Sequence, residues 1–131
     1  MAGEIKDNYY YSEEHEWVRD LGDGTVKIGI TDFAQHRLGD IVFVEFPEIG
    51  REVEAEDGVA TIESVKTVSD LFTPVSGTVL EINGQLEDEP ELVNSDPYDK
   101  GWMVRIRLRD QPDDAFAKLL NAEAYAKHID E

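Results

Sequence analysis

Gly58-Val59-Ala60-Thr61-Ile62-Glu63-Ser64-Val65-Lys66-Thr67-Val68-Ser69-Asp70-Leu71-Phe72 is the stretch on which the fold turns. β-Favouring runs at residues 58–62 and 68–72 flank a polar centre, so the spacing predicts a hairpin with Lys66 at its solvent-facing turn. The turn lacks the Asn-Gly or Asp-Gly pair that best favours a two-residue connection, and the apolar/polar alternation is imperfect. A lone lysine at a tip is ordinarily a solvated surface residue, so spacing by itself assigns Lys66 no role.

Toward the N-terminus, Tyr9-Tyr10-Tyr11-Ser12-Glu13-Glu14-His15-Glu16-Trp17-Val18 joins aromatics to a carboxylate cluster, with a strand expected to begin near Glu16. A turn follows at residues 20–24. Thr25-Val26-Lys27-Ile28-Gly29-Ile30 then alternates cleanly and places Val26, Ile28 and Ile30 on a core face. Thr31 or Asp32 should cap a short helix running to about Leu38 and closed by Gly39. Ile41-Val42-Phe43-Val44-Glu45-Phe46 is apolar at both parities and reads as a central, covered strand ending at Pro47.

Beyond the hairpin, Pro74 and Gly77 bracket a turn feeding Thr78-Val79-Leu80-Glu81-Ile82. Residues 85–98 should form a loop with one helical turn around Glu91-Leu92-Val93. Alternation over residues 102–108 places Trp102, Val104, Ile106 and Leu108 inward, and Arg105 and Arg107 on a solvated face. From Pro112 the period becomes helical, with stripes of Phe116, Leu119 and Leu120 and of Ala122, Tyr125 and Ile129 that read as packing; Asn121 stands between two helices as a cap or break. Short, turn-punctuated strands favour a mainly β, antiparallel barrel-sandwich with a C-terminal helical segment at about 112–129.

Composition narrows the function. A chain of 131 residues suits one domain, here the whole of 1–131. Cysteine is absent, which excludes disulfides, thiolate zinc sites and cysteine nucleophiles and fits a reducing compartment. The three histidines, at 15, 36 and 128, show no metal-site spacing. A net charge of −18, from 30 acids and 12 bases, argues against nucleic acid or an anionic membrane as partner. No membrane-length apolar run, signal-peptide core or arginine-rich leader is visible, so a cytoplasmic location is expected. No base, nucleophile and oxyanion set stands out, and no catalytic residue is expected.

Glu63-Ser64-Val65-Lys66, followed by Ser69-Asp70, Pro74-Val75-Ser76-Gly77 and Asn83, resembles the lipoylation segment of the glycine cleavage system H-protein family. The resemblance covers roughly residues 11–125. It includes His15-Glu16-Trp17-Val18, Gly29-Ile30-Thr31-Asp32, Leu38-Gly39-Asp40-Ile41-Val42, Leu92-Val93-Asn94-Ser95-Asp96-Pro97-Tyr98 and Gly101-Trp102. It implies a lipoyl/biotinyl-carrier-like barrel-sandwich hybrid that is not an enzyme and carries covalent lipoate on Lys66.

The implied role is a shuttle in the glycine cleavage system. The carrier takes the aminomethyl group of glycine from glycine decarboxylase, a pyridoxal phosphate enzyme, to aminomethyltransferase with its tetrahydrofolate, and then reducing equivalents to the flavoenzyme dihydrolipoyl dehydrogenase. A lipoate ligase or lipoyltransferase would modify it, with Glu63 serving that enzyme's recognition. Glu16 and Asp70, with Glu14 close by, are the implied contacts of the loaded arm, because carboxylates suit a protonated amine. The chain departs from the common pattern at Glu14, Phe33 and Arg37, which implies altered contacts in the arm-protecting cleft. Alternatives in view are a lipoyl donor to other proteins, a free-standing lipoyl domain of a 2-oxo acid dehydrogenase, a biotin carrier, which usually flanks its lysine with methionines, and a cofactor-free interaction module.

Overall fold

Alternation along the chain resolves into nine strands and five short helices in a computed structural model that describes residues 4–130. In chain order these are β1 (Tyr10–Tyr11), β2 (Glu16–Asp20), β3 (Thr25–Ile30), α1 (Asp32–Leu38), β4 (Ile41–Glu45), β5 (Glu52–Val53), β6 (Gly58–Ser64) and β7 (Val68–Phe72). There follow β8 (Gly77–Ile82), α2 (Gln85–Asp88), α3 (Leu92–Ser95), β9 (Val104–Leu108), α4 (Pro112–Phe116) and α5 (Ala122–Ile129). The strands build two open antiparallel sheets, one ordered β1-β2-β3-β9-β8-β5 and one ordered β4-β6-β7, stacked as the expected barrel-sandwich.

Side chains from both sheets fill one core. Val18, Val26, Ile28, Val79, Val104 and Ile106 of the larger sheet pack in the same cluster as Val44, Ile62 and Leu71 of the smaller. Each such side chain contributes roughly 1.5–3 kcal/mol of burial. A second cluster joins the two ends of the chain. Tyr11 stacks on Tyr125 with ring centroids 4.6 Å apart and 7° from parallel, while Tyr11 and Leu120 exchange backbone hydrogen bonds of 2.8 and 2.7 Å. Trp17 joins this cluster and donates its indole N–H to the Pro97 carbonyl at 2.9 Å, closing the loop of residues 85–98 against β2.

Capping follows the chemistry expected of it. Thr31 is the N-cap of α1, its hydroxyl accepting the Ala34 N–H at 3.2 Å; Asn121 does the same for α5 through the Ala124 N–H at 2.8 Å. Gly39 ends α1 at φ 84°, a conformation a β-carbon disfavours.

Three expectations are corrected. Strand β4 lies at an edge of the smaller sheet, not its centre, and Val42 and Phe43 are 47% and 49% exposed. A bulge between Ile41 and Phe43 breaks the parity, so only Ile41 and Val44 face the core. The stretch 85–98 holds two helical turns, α2 and α3, each placing one apolar side chain (Leu86, Val93) in the core. Strand β9 starts only at Val104, so Met103 is fully buried while Trp102 and Leu108 are half-buried, with the Lys27 ammonium 4.6 Å from the Trp102 ring centroid. Arg105 does lie on the outer side, paired to Asp23 at 3.3 Å and Glu81 at 3.2 Å.

Gly77 starts β8 where β9 crosses closely: a β-carbon there would stand 2.0 Å from the Arg107 carbonyl oxygen. Backbone cannot yield as a side chain can, so Gly77→Ala should cost about 2–4 kcal/mol of unfolding free energy. Gly84→Ala, in open space at helical φ/ψ, should change it by less than about 0.5 kcal/mol. Urea titration of both variants checks this, and equal midpoints would contradict it.

Candidate functional site

The hairpin tip is shaped by Ser64. Its backbone N–H donates to the Thr67 carbonyl at 2.8 Å, and its hydroxyl oxygen accepts the N–H groups of both Lys66 and Thr67 at 3.1 Å. This serine-centred turn does the work that Asn-Gly would do elsewhere, which is why the hairpin forms without that pair. The Val65 N–H donates to the Asp40 carbonyl at 3.0 Å and ties the tip to the segment after α1. Register across the sheet pairs Phe43 with Glu63 and Glu63 with Val68, just before the tip.

Lys66 is exposed, and among the described residues it makes no ion pair. Its methylene stem lies over the end of α1, so a β-carbon on Gly39 would meet Lys66 Cε at 3.2 Å. Gly39 thus serves twice, in its backbone angle and in the space it leaves for this lysine.

Beside the tip opens a cleft of about 330 Å³. One wall is the turn of Glu14, His15 and Glu16; the opposite wall is α1, through Ala34, Arg37 and Leu38; Ile30 and Ile62 form the floor, and Thr67, Ser69 and Asp70 lead to the hairpin. Three of the sequence-derived candidates, Glu14, Glu16 and Asp70, are therefore brought together beside Lys66. Glu63 is not: it projects from the exposed face of the sheet and borders neither this cleft nor a second cavity of about 690 Å³ on the far side of Glu16. The three positions of departure also converge, with Glu14 and Arg37 lining the cleft and the Phe33 ring lying 4.7 Å from the His15 ring and 5.4 Å from the Arg37 guanidinium carbon.

Glu16 differs from the other acids. It is only 3% exposed and, among the described residues, has no cation paired with it. The Ser12 hydroxyl donates to one carboxylate oxygen and the Phe72 N–H approaches the other at 3.4 Å. Burial pushes its pKa from about 4.5 up to about 7; the Ser12 and Phe72 hydrogen bonds oppose the rise and the Glu14 charge adds to it. A carboxyl held near neutrality can release its proton when a cation arrives and then bind that cation in a site shielded from water.

Sequence reasoning missed Ser12, Ser64 and Gly39 as parts of this site. A serine two residues before the lysine was the available signal for the turn; nothing local marked Ser12, which acts through the reversal of chain at His15, a non-glycine residue at φ 71°.

The raised Glu16 pKa sets a pH dependence. The folded state favours the protonated acid, so stability falls as pH rises from the unfolded value near 4.5 through the folded value near 7. Glu16→Gln abolishes that loss. It should unfold at nearly the parent's urea midpoint at pH 4 and be more stable by about 2–3 kcal/mol at pH 8. A gap of the same size at both pH values would contradict the assignment.

Comparison with known proteins bears on family and fold. Residues 9–131 match the family model described as glycine cleavage H-protein. The glycine cleavage system H protein of Rubrobacter xylanophilus is 52% identical over 128 residues, covering 98% of this chain and 97% of that one. That of Vibrio cholerae is 51% identical over 121 residues, covering 92% and 94%. Among solved structures, a glycine cleavage system H protein from Mycobacterium marinum superposes with a TM-score of 0.86 at 37% identity, over 97% of this chain and all of that one. Fold, motif order and similarity along almost the full length lead to one conclusion: the chain belongs to the glycine cleavage H-protein family.

Proposed function

We propose that this protein is the lipoylated carrier of a glycine cleavage system, with Lys66 as the attachment point and no catalytic residue of its own. The observation that supports this most is an exposed lysine, in no ion pair among the described residues, on a serine-braced tip directly beside a cleft that gathers three carboxylates. Amide formation at Lys66 removes the ammonium charge and extends the stem already lying over Gly39. A lipoyl group held there would supply the disulfide that accepts the aminomethyl group and the electron pair. The chain itself presents the arm to successive active sites and shelters its end.

Shelter is a matter of charge and water. An amine on the arm's end is protonated near neutral pH, and Asp70 at the cleft mouth with Glu16 inside it offers charge-assisted acceptors for it. Glu14 adds a further negative charge on the same wall. Burial of Glu16 limits water at the bond that hydrolysis would attack. The partners proposed are those of the sequence reading: glycine decarboxylase, aminomethyltransferase, dihydrolipoyl dehydrogenase and a lipoate ligase or lipoyltransferase, the last reading Glu63 on the exposed face. No helix among the described residues is long and apolar enough to cross a membrane.

Incubation with lipoate, ATP and a lipoate ligase should add one lipoyl mass to the parent and none to Lys66→Arg. No increment in the parent would end the carrier reading. Once lipoylated and loaded with glycine by glycine decarboxylase, the double variant Glu16→Gln, Asp70→Asn should lose its loaded form about tenfold faster than the parent, the loss of roughly 1.4 kcal/mol from two charge-assisted bonds. Equal decay rates followed by mass spectrometry would remove both acids from that role.

A further inference from the structure

Tyr125 of α5 lines no part of the cleft, yet of the two polar partners of its hydroxyl one, His15, lines the cleft and the other, Thr31, caps the helix that forms its opposite wall. The oxygen lies 2.9 Å from His15 Nδ1, in the acidic turn, and 2.7 Å from Thr31 Oγ1, the cap of the α1 wall. Thr31 also donates its backbone N–H to the His15 carbonyl at 3.1 Å. The two walls are thus joined twice, once through backbone and once through a hydroxyl contributed by a third element.

The acidic turn needs such support. His15 stands at φ 71°, a conformation that costs a non-glycine residue on the order of 1 kcal/mol and persists only where surroundings impose it. Its imidazole is enclosed by Phe33 at 4.7 Å, Tyr125 at 5.8 Å and His128 at 5.6 Å, and His128 Nε2 lies 3.0 Å from the Glu13 carbonyl oxygen in the same turn. Reversal of the chain at His15 is what sets Glu14 and Glu16 side by side along the cleft.

Packing alone does not account for the hydroxyl. Tyr125 is fully buried and stacked on Tyr11, a position that phenylalanine would fill equally well. Burial of a hydroxyl is unfavourable unless it is satisfied, and here its partners are His15 and Thr31. We infer that Tyr125 is a positioning residue for the arm-sheltering cleft: its hydroxyl fixes the acidic turn against the N-terminus of α1, so that α5 governs how closely the cleft excludes water. What the cleft shelters rests on the carrier reading above; the positioning itself does not.

The test compares Tyr125→Phe with Tyr11→Phe. The first removes the hydroxyl that joins the walls and keeps the ring; the second removes a hydroxyl from the same stack that, among the described residues, bonds only the Lys6 backbone, N–H and carbonyl, at 2.7 Å. In the unmodified protein, the carboxyl carbon of Glu16 is titrated by NMR. Water entering a loosened cleft should lower the Glu16 midpoint by about one pH unit in Tyr125→Phe and leave it in place in Tyr11→Phe. After lipoylation and loading with glycine, the half-life of the loaded form should fall about fivefold in Tyr125→Phe alone, while the rate of lipoylation at Lys66 stays the same in all three proteins. A Glu16 midpoint unmoved in Tyr125→Phe, or moved as far in Tyr11→Phe, overturns the inference. If the parent takes no lipoyl group at Lys66, the carrier reading fails, and the Glu16 titration still decides the positioning claim.

Discussion

The stack of Tyr11 on Tyr125 is the contact on which the architecture of the site depends. It seals the start of the larger sheet with the last helix, so two segments more than a hundred residues apart in sequence become one surface. Strand β1 has only two residues and could not hold its register on one neighbour alone. It is fixed by pairing with β2 on one side and by the reciprocal bonds to Leu120 on the other. Everything that approaches Lys66 from this side, the His15 turn above all, inherits its position from that closure. A turn held in a left-handed conformation without glycine needs such a frame, since its own local energy favours another shape.

Charge operates against the same frame. A chain of net charge −18 repels itself, and the ion pairs among the described residues are few and largely exposed, so each adds little. Glu16 adds a buried acid that, among the described residues, is held by hydrogen-bond donors and no paired cation, with the like charge of Glu14 nearby. The fold tolerates this because its apolar core is continuous between the sheets and because the acid can keep its proton until something positive takes its place. Instability at one residue and readiness to bind a cation there are two descriptions of one free energy.

Much of this was legible in the sequence because it is local. The lysine hairpin, the clean period of β3, the Thr31 and Asn121 caps and the Gly39 stop each depend on residues a few positions apart, where spacing and side-chain chemistry act directly. What escaped was set by register or by long-range contact. The bulge in β4 exposes two apolar residues that parity would bury, and the late start of β9 exchanges Trp102 for Met103 in the core. Tyr125 was readable as one residue of an apolar helical stripe; its hydroxyl's partners lie 110 and 94 residues away, where no period reaches. The candidate acids Glu14, Glu16 and Asp70 came from the family resemblance, while the distinction between them, one buried and neutralisable, the others solvated, belongs to the three-dimensional surroundings.

Strand β4 has a consequence outside the site. It ends a sheet, and the bulge that bends it also turns Val42 and Phe43 to solvent, so an unpaired backbone edge and two apolar side chains share one margin of the molecule. Such a margin is a template for unwanted pairing between copies. Helix α2 lies against β4, and the Asn94 side chain accepts the Ile41 N–H at 2.8 Å, but Val42 and Phe43 stay open to solvent. Mutual repulsion does the rest: the surplus of acids that sets the sequence isoelectric point near 4.3 gives every molecule a like-charged atmosphere at neutral pH. The acidity of the chain is in this sense colloidal protection, strongest in dilute salt and weakest where the carboxylates take up protons.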